Sequence, residues 1–333
     1  MLHPSTKLAA LLACASFLPP SFARPMADEA GWQFTLNVNA GFMQSQSQIS
    51  TDSDNKVTED LNNKGKQVDS AIVFPLARLD YTFDDLKTQL FIGNSLENVS
   101  QGQFQLEVGG KHQLASGSTI TLAWIPLLPS FQKTWQDPYL QNQHRDKTDQ
   151  DTQGLRFAWE NIAGSLFSVK YGYAKNDLDH ERSGQSLGLS APELRSLDRN
   201  SDYHRGSLEM LVPLGNGLFF EPALTYTRGD AKGDAMSYDE YGTRLSLVKL
   251  YNKHRIAGNL FYSRAEYDQT NPVFNRKQKD DNWGAFAFYS YKAPFNWQNA
   301  SFTLFGVWTD THSNIRFYES DMFSLAAGMA YTF

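Results

Sequence analysis

The chain of 333 residues has a single cysteine, Cys14. It falls in the N-terminal leader described below, so the rest of the chain forms no disulfide, no thiolate metal site and no cysteine nucleophile. Long apolar runs are also missing: after the leader no stretch approaches the roughly 18 apolar residues of a spanning helix. Positive charge is scarce, with 30 basic against 36 acidic side chains and a formal net charge of −6, which loss of Lys7 with the leader makes −7. That balance excludes an electrostatic nucleic-acid binder. No Pro/Gly/Ser-rich linker divides the chain, which favours one architecture over two domains.

What is present begins at the N-terminus. Lys7 precedes the apolar run Leu8 to Leu18, and Ser21-Phe22-Ala23 offers small residues where a signal peptidase reads. Residues 1–23 are therefore expected to be a cleaved signal peptide and residues 24–333 the exported domain. A lipoprotein reading of Leu11-Leu12-Ala13-Cys14 would leave an apolar region of only about five residues, short of the usual 7–15.

The next signal is alternation. Trp32, Phe34, Leu36, Val38, Ala40 and Phe42 fall on one side, and Gln33, Thr35, Asn37, Asn39 and Gly41 on the other. This is a strand of period two, with a face polar enough for water and a face apolar enough for lipid. Further candidates lie near 67–83, 86–94, 102–114, 118–125, 152–160, 164–178, 202–213, 217–230, 236–250, 254–268, 280–291, 300–312 and 320–333. The expected fold is an all-β, transmembrane antiparallel barrel of about 14 strands, within a range of about 12 to 16.

Connection lengths support the same count. Asp84-Asp85, Ala115 to Gly117, Asn161 to Ala163, Leu214 to Asn216, Tyr251 to Lys253 and Lys292 to Asn299 are short, as periplasmic turns are. The joints between them are mostly longer and rich in Asp, Asn, Gln and Lys, as outer loops are. Aromatic residues gather near strand ends, among them Trp32, Tyr81, Phe83, Trp124, Trp159, Phe219, Phe220, Tyr251, Trp297, Trp308, Tyr331 and Phe333, as an interfacial girdle requires.

The last strand carries Phe323, Leu325, Ala327, Met329, Tyr331 and a terminal Phe333 at alternate positions. It resembles the closing strand of bacterial outer-membrane proteins, which implies the barrel-assembly machinery as a partner and Phe323, Tyr331 and Phe333 as its assembly signal. The Gly31-Trp32 start and the Ala330-Tyr331-Thr332-Phe333 end make the whole exported domain similar to an uncharacterised family of outer-membrane barrels. That resemblance implies localisation in the outer membrane of a Gram-negative cell and supplies no functional residues.

Strand parity assigns Arg78, Asp80, Lys87, Glu107, Lys111, Arg156, Glu160, Lys170, Arg205, Glu209, Glu221, Glu240, Arg244 and Arg255 to the lumen. Each Arg or Lys facing lipid at mid-bilayer would cost about 2–4 kcal/mol, so their common placement on the polar side supports the register. The expected lumen is wet and of mixed sign, whether as a transverse field that orients solutes or as a salt-bridge network that plugs the barrel. Pro126 to Asp151 is the longest expected outer loop. Its Phe131, Trp135 and Tyr139 either narrow the channel, offering rings to sugars, or pack against the rim.

Other motifs carry less. Asp52-Ser53-Asp54-Asn55-Lys56-Val57 begins like a calcium loop, but Lys56 occupies a ligand position and Val57 replaces the required glycine, so no metal is expected. Ser190-Ala191-Pro192-Glu193 reads as a capping box opening a short loop helix near Glu193 to Leu197. His312-Ser313-Asn314 beside Arg316 resembles an outer-membrane phospholipase motif only loosely, lacking its glycine and spacing.

The reading is a porin-like channel for passive diffusion of small hydrophilic solutes, not an enzyme, with no cofactor and no nucleic-acid partner. Outer-membrane lipid and lipopolysaccharide would surround it, and an oligomer is compatible with the sequence. Its competitors are a structural or adhesive barrel with a plugged lumen and, further off, a barrel hydrolase.

Overall fold

The computed structural model describes residues 27, 29–94, 106–126 and 133–333. The leader and Phe131 lie outside the described residues. Sixteen strands are described: β1 (Gly31–Ser47), β2 (Gln67–Thr82), β3 (Thr88–Gly93), β4 (Glu107–Gln113), β5 (Thr119–Ile125), β6 (Lys133–Trp135), β7 (Lys147–Glu160), β8 (Phe167–Leu178), β9 (Ser201–Met210), β10 (Val212–Gly215), β11 (Leu218–Ala231), β12 (Tyr238–Tyr251), β13 (His254–Asn271), β14 (Arg276–Lys292), β15 (Ala300–Ser313) and β16 (Ser320–Thr332).

Each strand pairs antiparallel with its neighbours, and β16 returns to β1 from Thr35↔Thr332 to Ser47↔Ser320, which closes the sheet. β6 pairs only with β7, and β10 prolongs β9 along β11, so the closed wall has 14 staves among the described residues. Among the described residues, closure leaves the 14-stave wall itself without an edge strand to recruit another chain.

Local chemistry explains the turns. The short connections place Asn161, Asn216 and Asn252 at positive φ, a conformation asparagine tolerates better than most residues. At the turn after β2, the Asp85 carboxylate accepts from Lys87 N and Thr88 N, both at 2.9 Å, and from Thr88 Oγ1 at 2.6 Å. The hydrogen bond from Thr88 leads in holding that carboxyl below its ordinary range. At the other end, Ser190 N donates to Glu193 Oε2 at 2.8 Å and opens the short helix Ala191–Ser196.

Alternation sorts the side chains as the sequence predicts. Trp32, Val38, Leu122, Trp124, Leu224, Tyr241, Leu260, Trp308 and Leu325 are exposed on the outside. An unpartnered apolar belt of this extent is the surface that a barrel presents to lipid. Phe219 departs from the expected girdle, because it shares the inward face of β11 with Glu221.

The closing strand is fixed at its last residue. Phe333 N donates to Phe34 O at 2.8 Å, and its ring stacks on Phe34 at 5.6 Å and meets Tyr331 edge-on at 4.7 Å. Phe333→Ser removes both ring contacts, each worth about 0.5–1.5 kcal/mol beyond burial. Its yield of heat-modifiable barrel in membranes is expected to fall several-fold, and an unchanged yield would detach Phe333 from assembly.

Candidate functional site

Inside the wall, charged side chains from β2 to β12 meet in pairs. Arg156 makes a two-pronged contact with Glu107, Nε–Oε1 at 2.9 Å and Nη2–Oε2 at 2.7 Å. Arg78 reaches Asp80 at 2.9 Å and lies over the Phe91 ring at 4.2 Å. Glu209 is the hub of the group, with Lys170 at 3.0 Å on one oxygen and Arg244 at 3.0 Å on the other. Lys170 also faces Glu160 at 4.0 Å, Arg244 faces Glu221 at 3.5 Å, and Arg205 faces Glu240 at 3.9 Å. These groups are buried; Lys170 retains 2% of its surface and Glu221 none.

Thirteen of the fourteen residues assigned to the lumen therefore sit on inward positions, Lys111 and Arg255 included. Lys87 is the correction. The Asp85 turn runs two residues further than the sequence suggested, so Lys87 is exposed in a short connection and β3 begins at Thr88.

A second set of inward residues was not anticipated. Ile72, Phe74 and Leu76 of β2, Phe286 and Phe288 of β14, Phe305 of β15, Met322 of β16 and Val248 of β12 form one buried apolar cluster. Phe74 and Phe305 meet at 5.7 Å across the small inward residues of β1 and β16. In strand order this apolar arc centres on β15, β16 and β1, diametrically opposite the charged arc centred on β7, β8 and β9. The lumen is thus divided lengthwise, where the sequence suggested a uniformly polar lining. The available signal was apolarity on both faces, in Ala71 to Leu76 and in Ala285 to Phe288.

The long connections are not independent loops. Leu61, Tyr139, Leu197, Ala235, Ile315 and Phe317, from five of them, share a core, with Val273 and Phe274 of a sixth packed against it. Full burial of such side chains stabilises by about 1.5–3 kcal/mol each. Tyr139, rooted beside β5 and β7, hydrogen-bonds Tyr318 beyond β15 at 2.6 Å, and Asn271 donates to Tyr318 at 2.8 Å. Residues 133–146 therefore reach across the mouth to the opposite wall and, with the neighbouring connections, build a cap.

Arg145 ties the cap together. Its guanidinium donates to Gln48 O at 3.0 Å, to Pro138 O at 3.1 Å and to Asn55 O, and lies on the Trp135 ring at 4.6 Å. Burial pulls its pKa down to about 10, against the opposing pull of the Asp137 carboxylate. Asp137 in turn accepts from Gly184 N at 2.9 Å and Ser186 Oγ at 2.7 Å, and Arg199 Nη2 donates to Trp135 O at 2.7 Å, which fastens loop 179–200 to the same hairpin.

Trp135 and Tyr139 consequently have no ring face open to a solute, at 0% and 1% exposure. Of the two expectations for these rings, burial fits packing at the rim and not a constriction: they brace the cap at the long-loop end of the barrel. None of Arg145, Asp137 or Arg199 was visible as a functional residue, since isolated polar residues in loops have no periodicity to mark them.

The fragment near the last long connection carries no catalytic geometry. His312 and Ser313 are successive residues at the end of β15, paired with Asp281 and Asp280, so they face opposite sides of the wall. His312 Nδ1 stands 3.2 Å from the outward Asp310. Among the described residues no group of three or more His, Cys, Asp or Glu side chains is placed to hold a metal ion.

Residues 31–332 match the family described as protein of unknown function (DUF2860). The chain belongs to that family. No curated protein matches it. Similar solved structures include the loop L8 deletion mutant of OmpT, an outer membrane protein of Vibrio cholerae, at 11% identity and a TM-score of 0.41 over 92% of this chain and all of that one. The CymD monoaromatic hydrocarbon channel gives 8% and 0.46 over 92% and 89%, and Acinetobacter baumannii OccAB4 gives 11% and 0.38 over 93% and 99%. At these values the function of the DUF2860 barrel has to be argued from its own side chains.

Proposed function

We propose that this DUF2860 protein is an outer-membrane channel for small solutes, held shut in the conformation described by its cap and its lumenal ion pairs. The observation that carries the reading is the charged arc. Burying ion pairs is a poor way to stabilise a wall, because well-packed apolar residues in their place are often neutral or better. Five buried or nearly buried cations, Arg78, Arg156, Lys170, Arg205 and Arg244, facing carboxylates inside a 14-stave barrel make sense as a polar lining through which solutes pass. The long-loop end would face outward and both chain ends the periplasm, with lipopolysaccharide around the outer rim and the assembly machinery reading β16.

A second reading has its own support. The near-complete burial of Lys170, Glu209 and Glu221 suits a structural barrel whose lumen is permanently filled. Planar-bilayer recording of the refolded protein separates the two. Brief stepwise openings from a mostly closed level are expected; silence in both the native protein and a variant with a loosened cap would leave the structural barrel.

A further inference from the structure

The two arcs together restrict what the lumen would accept, and we infer that its solutes are zwitterionic amino acids with apolar or aromatic side chains. This deepens the channel reading and rests on it. In a lumen where carboxylates and cations are already paired and buried, a solute of one charge that displaces a partner leaves a group of the opposite role uncompensated, at a cost that low dielectric makes large. A neutral sugar displaces a pair and offers charge to neither member.

A zwitterion exchanges partners one for one. Its carboxylate takes the place of Glu209 against Lys170 and Arg244, which stand 3.0 Å from the two Glu209 oxygens, while its ammonium takes Glu209. The pairing stays complete throughout, and no proton or covalent bond has to change. The third substituent of an amino acid then points away from the charged arc, toward the opposite wall of Phe74, Phe286, Phe288 and Phe305. Aromatic pairs add attraction beyond the area they bury. A lumen charged along one side and aromatic along the other thus matches an α-amino acid end to end: two charges on adjacent groups, one apolar body.

The test uses the full-length protein refolded into planar bilayers, with the half-blocking concentration of ionic current measured for L-phenylalanine, glycine, glucose, N-acetylphenylalanine and phenylalaninamide. Phenylalanine is expected to block at a concentration about tenfold or more below glycine, as burial of a benzyl group implies, and well below glucose. The two single-charge derivatives, which keep the ring, are expected to be clearly weaker than phenylalanine. Equal block by N-acetylphenylalanine or phenylalaninamide would overturn the exchange of partners, and equal block by glycine would overturn the role of the aromatic wall. Phe305→Ser should bring phenylalanine toward glycine; if that variant does not refold, the ligand series on the native protein decides alone. Absence of any conductance in the native protein and a cap-loosened variant would instead remove the channel reading and this inference with it, an outcome distinct from a conducting pore without preference.

Discussion

Glu209→Gln will destabilise the barrel by about 3–5 kcal/mol, the usual consequence of stripping one partner from a buried ionic group. Glu209 is the carboxylate shared by Lys170 and Arg244, so its loss leaves two buried cations leaning on Glu160 at 4.0 Å and Glu221 at 3.5 Å. Those remaining contacts favour the lower end of the range. The measurement is the urea midpoint for unfolding from lipid vesicles. Lys170→Met in the Glu209→Gln background should recover part of the loss, since the second change removes one of the stranded charges, and a coupling energy above about 1 kcal/mol is expected for groups in direct contact. Strict additivity would mean that the pair does not interact between the neighbouring strands β8 and β9. In the same variant the surplus of positive charge should move reversal potentials toward anion selectivity.

Arg145→Ala is expected to open the cap without unmaking the wall. The substitution deprives Gln48 O, Pro138 O and Asn55 O of their charged donor and Trp135 of its cation. A hydrogen bond to a charged group contributes about 1.5–3 kcal/mol and each buried acceptor left unmatched costs about 1–3 kcal/mol, so the total exceeds what a set of surface loops can absorb. Protease added to intact vesicles should cut within 48–66 or 126–146 at least tenfold faster, while the boiled and unboiled gel mobilities remain those of a folded barrel. Channel openings should lengthen in the same variant. Unchanged protease resistance would show that the aromatic core around Tyr139 and Phe317 holds the loops by itself.

Much of this fold is legible in the sequence for a simple reason. Lipid outside and polar groups inside impose opposite demands on successive residues, so β1 announces itself from Trp32 to Phe42, and short and long joints announce the two ends of the wall. The same logic placed Arg156, Lys170, Arg205 and Arg244 inward, because the alternative is charge in lipid. It failed where the demand is one-sided. Phe74 and Phe286 point inward on strands whose outward residues are also apolar, and no alternation distinguishes a phenylalanine in the lumen from one in the bilayer. Lys87 was misplaced because the Asp85 carboxylate caps a turn that delays the start of β3 by two residues, to Thr88. The cap lay beyond reach altogether: Tyr139 and Tyr318 are 179 residues apart, and their hydrogen bond is a product of the closed wall.

The pairing of β16 with β1 also sets the order of events during folding. Thr35 and Thr332 hydrogen-bond across 297 residues of chain, and bringing ends together over such a loop costs about 5 kcal/mol of entropy if the intervening chain is still flexible. Zipping the hairpins in between first shortens that search, so the seam is the last joint to form and its two strands are the last to find shelter. Until then β1 offers its backbone to any strand it meets. A chain that stalls before its final residues would therefore be an adhesive ribbon, and the step that limits its arrival as a finished barrel is a rendezvous between its first strand and its last.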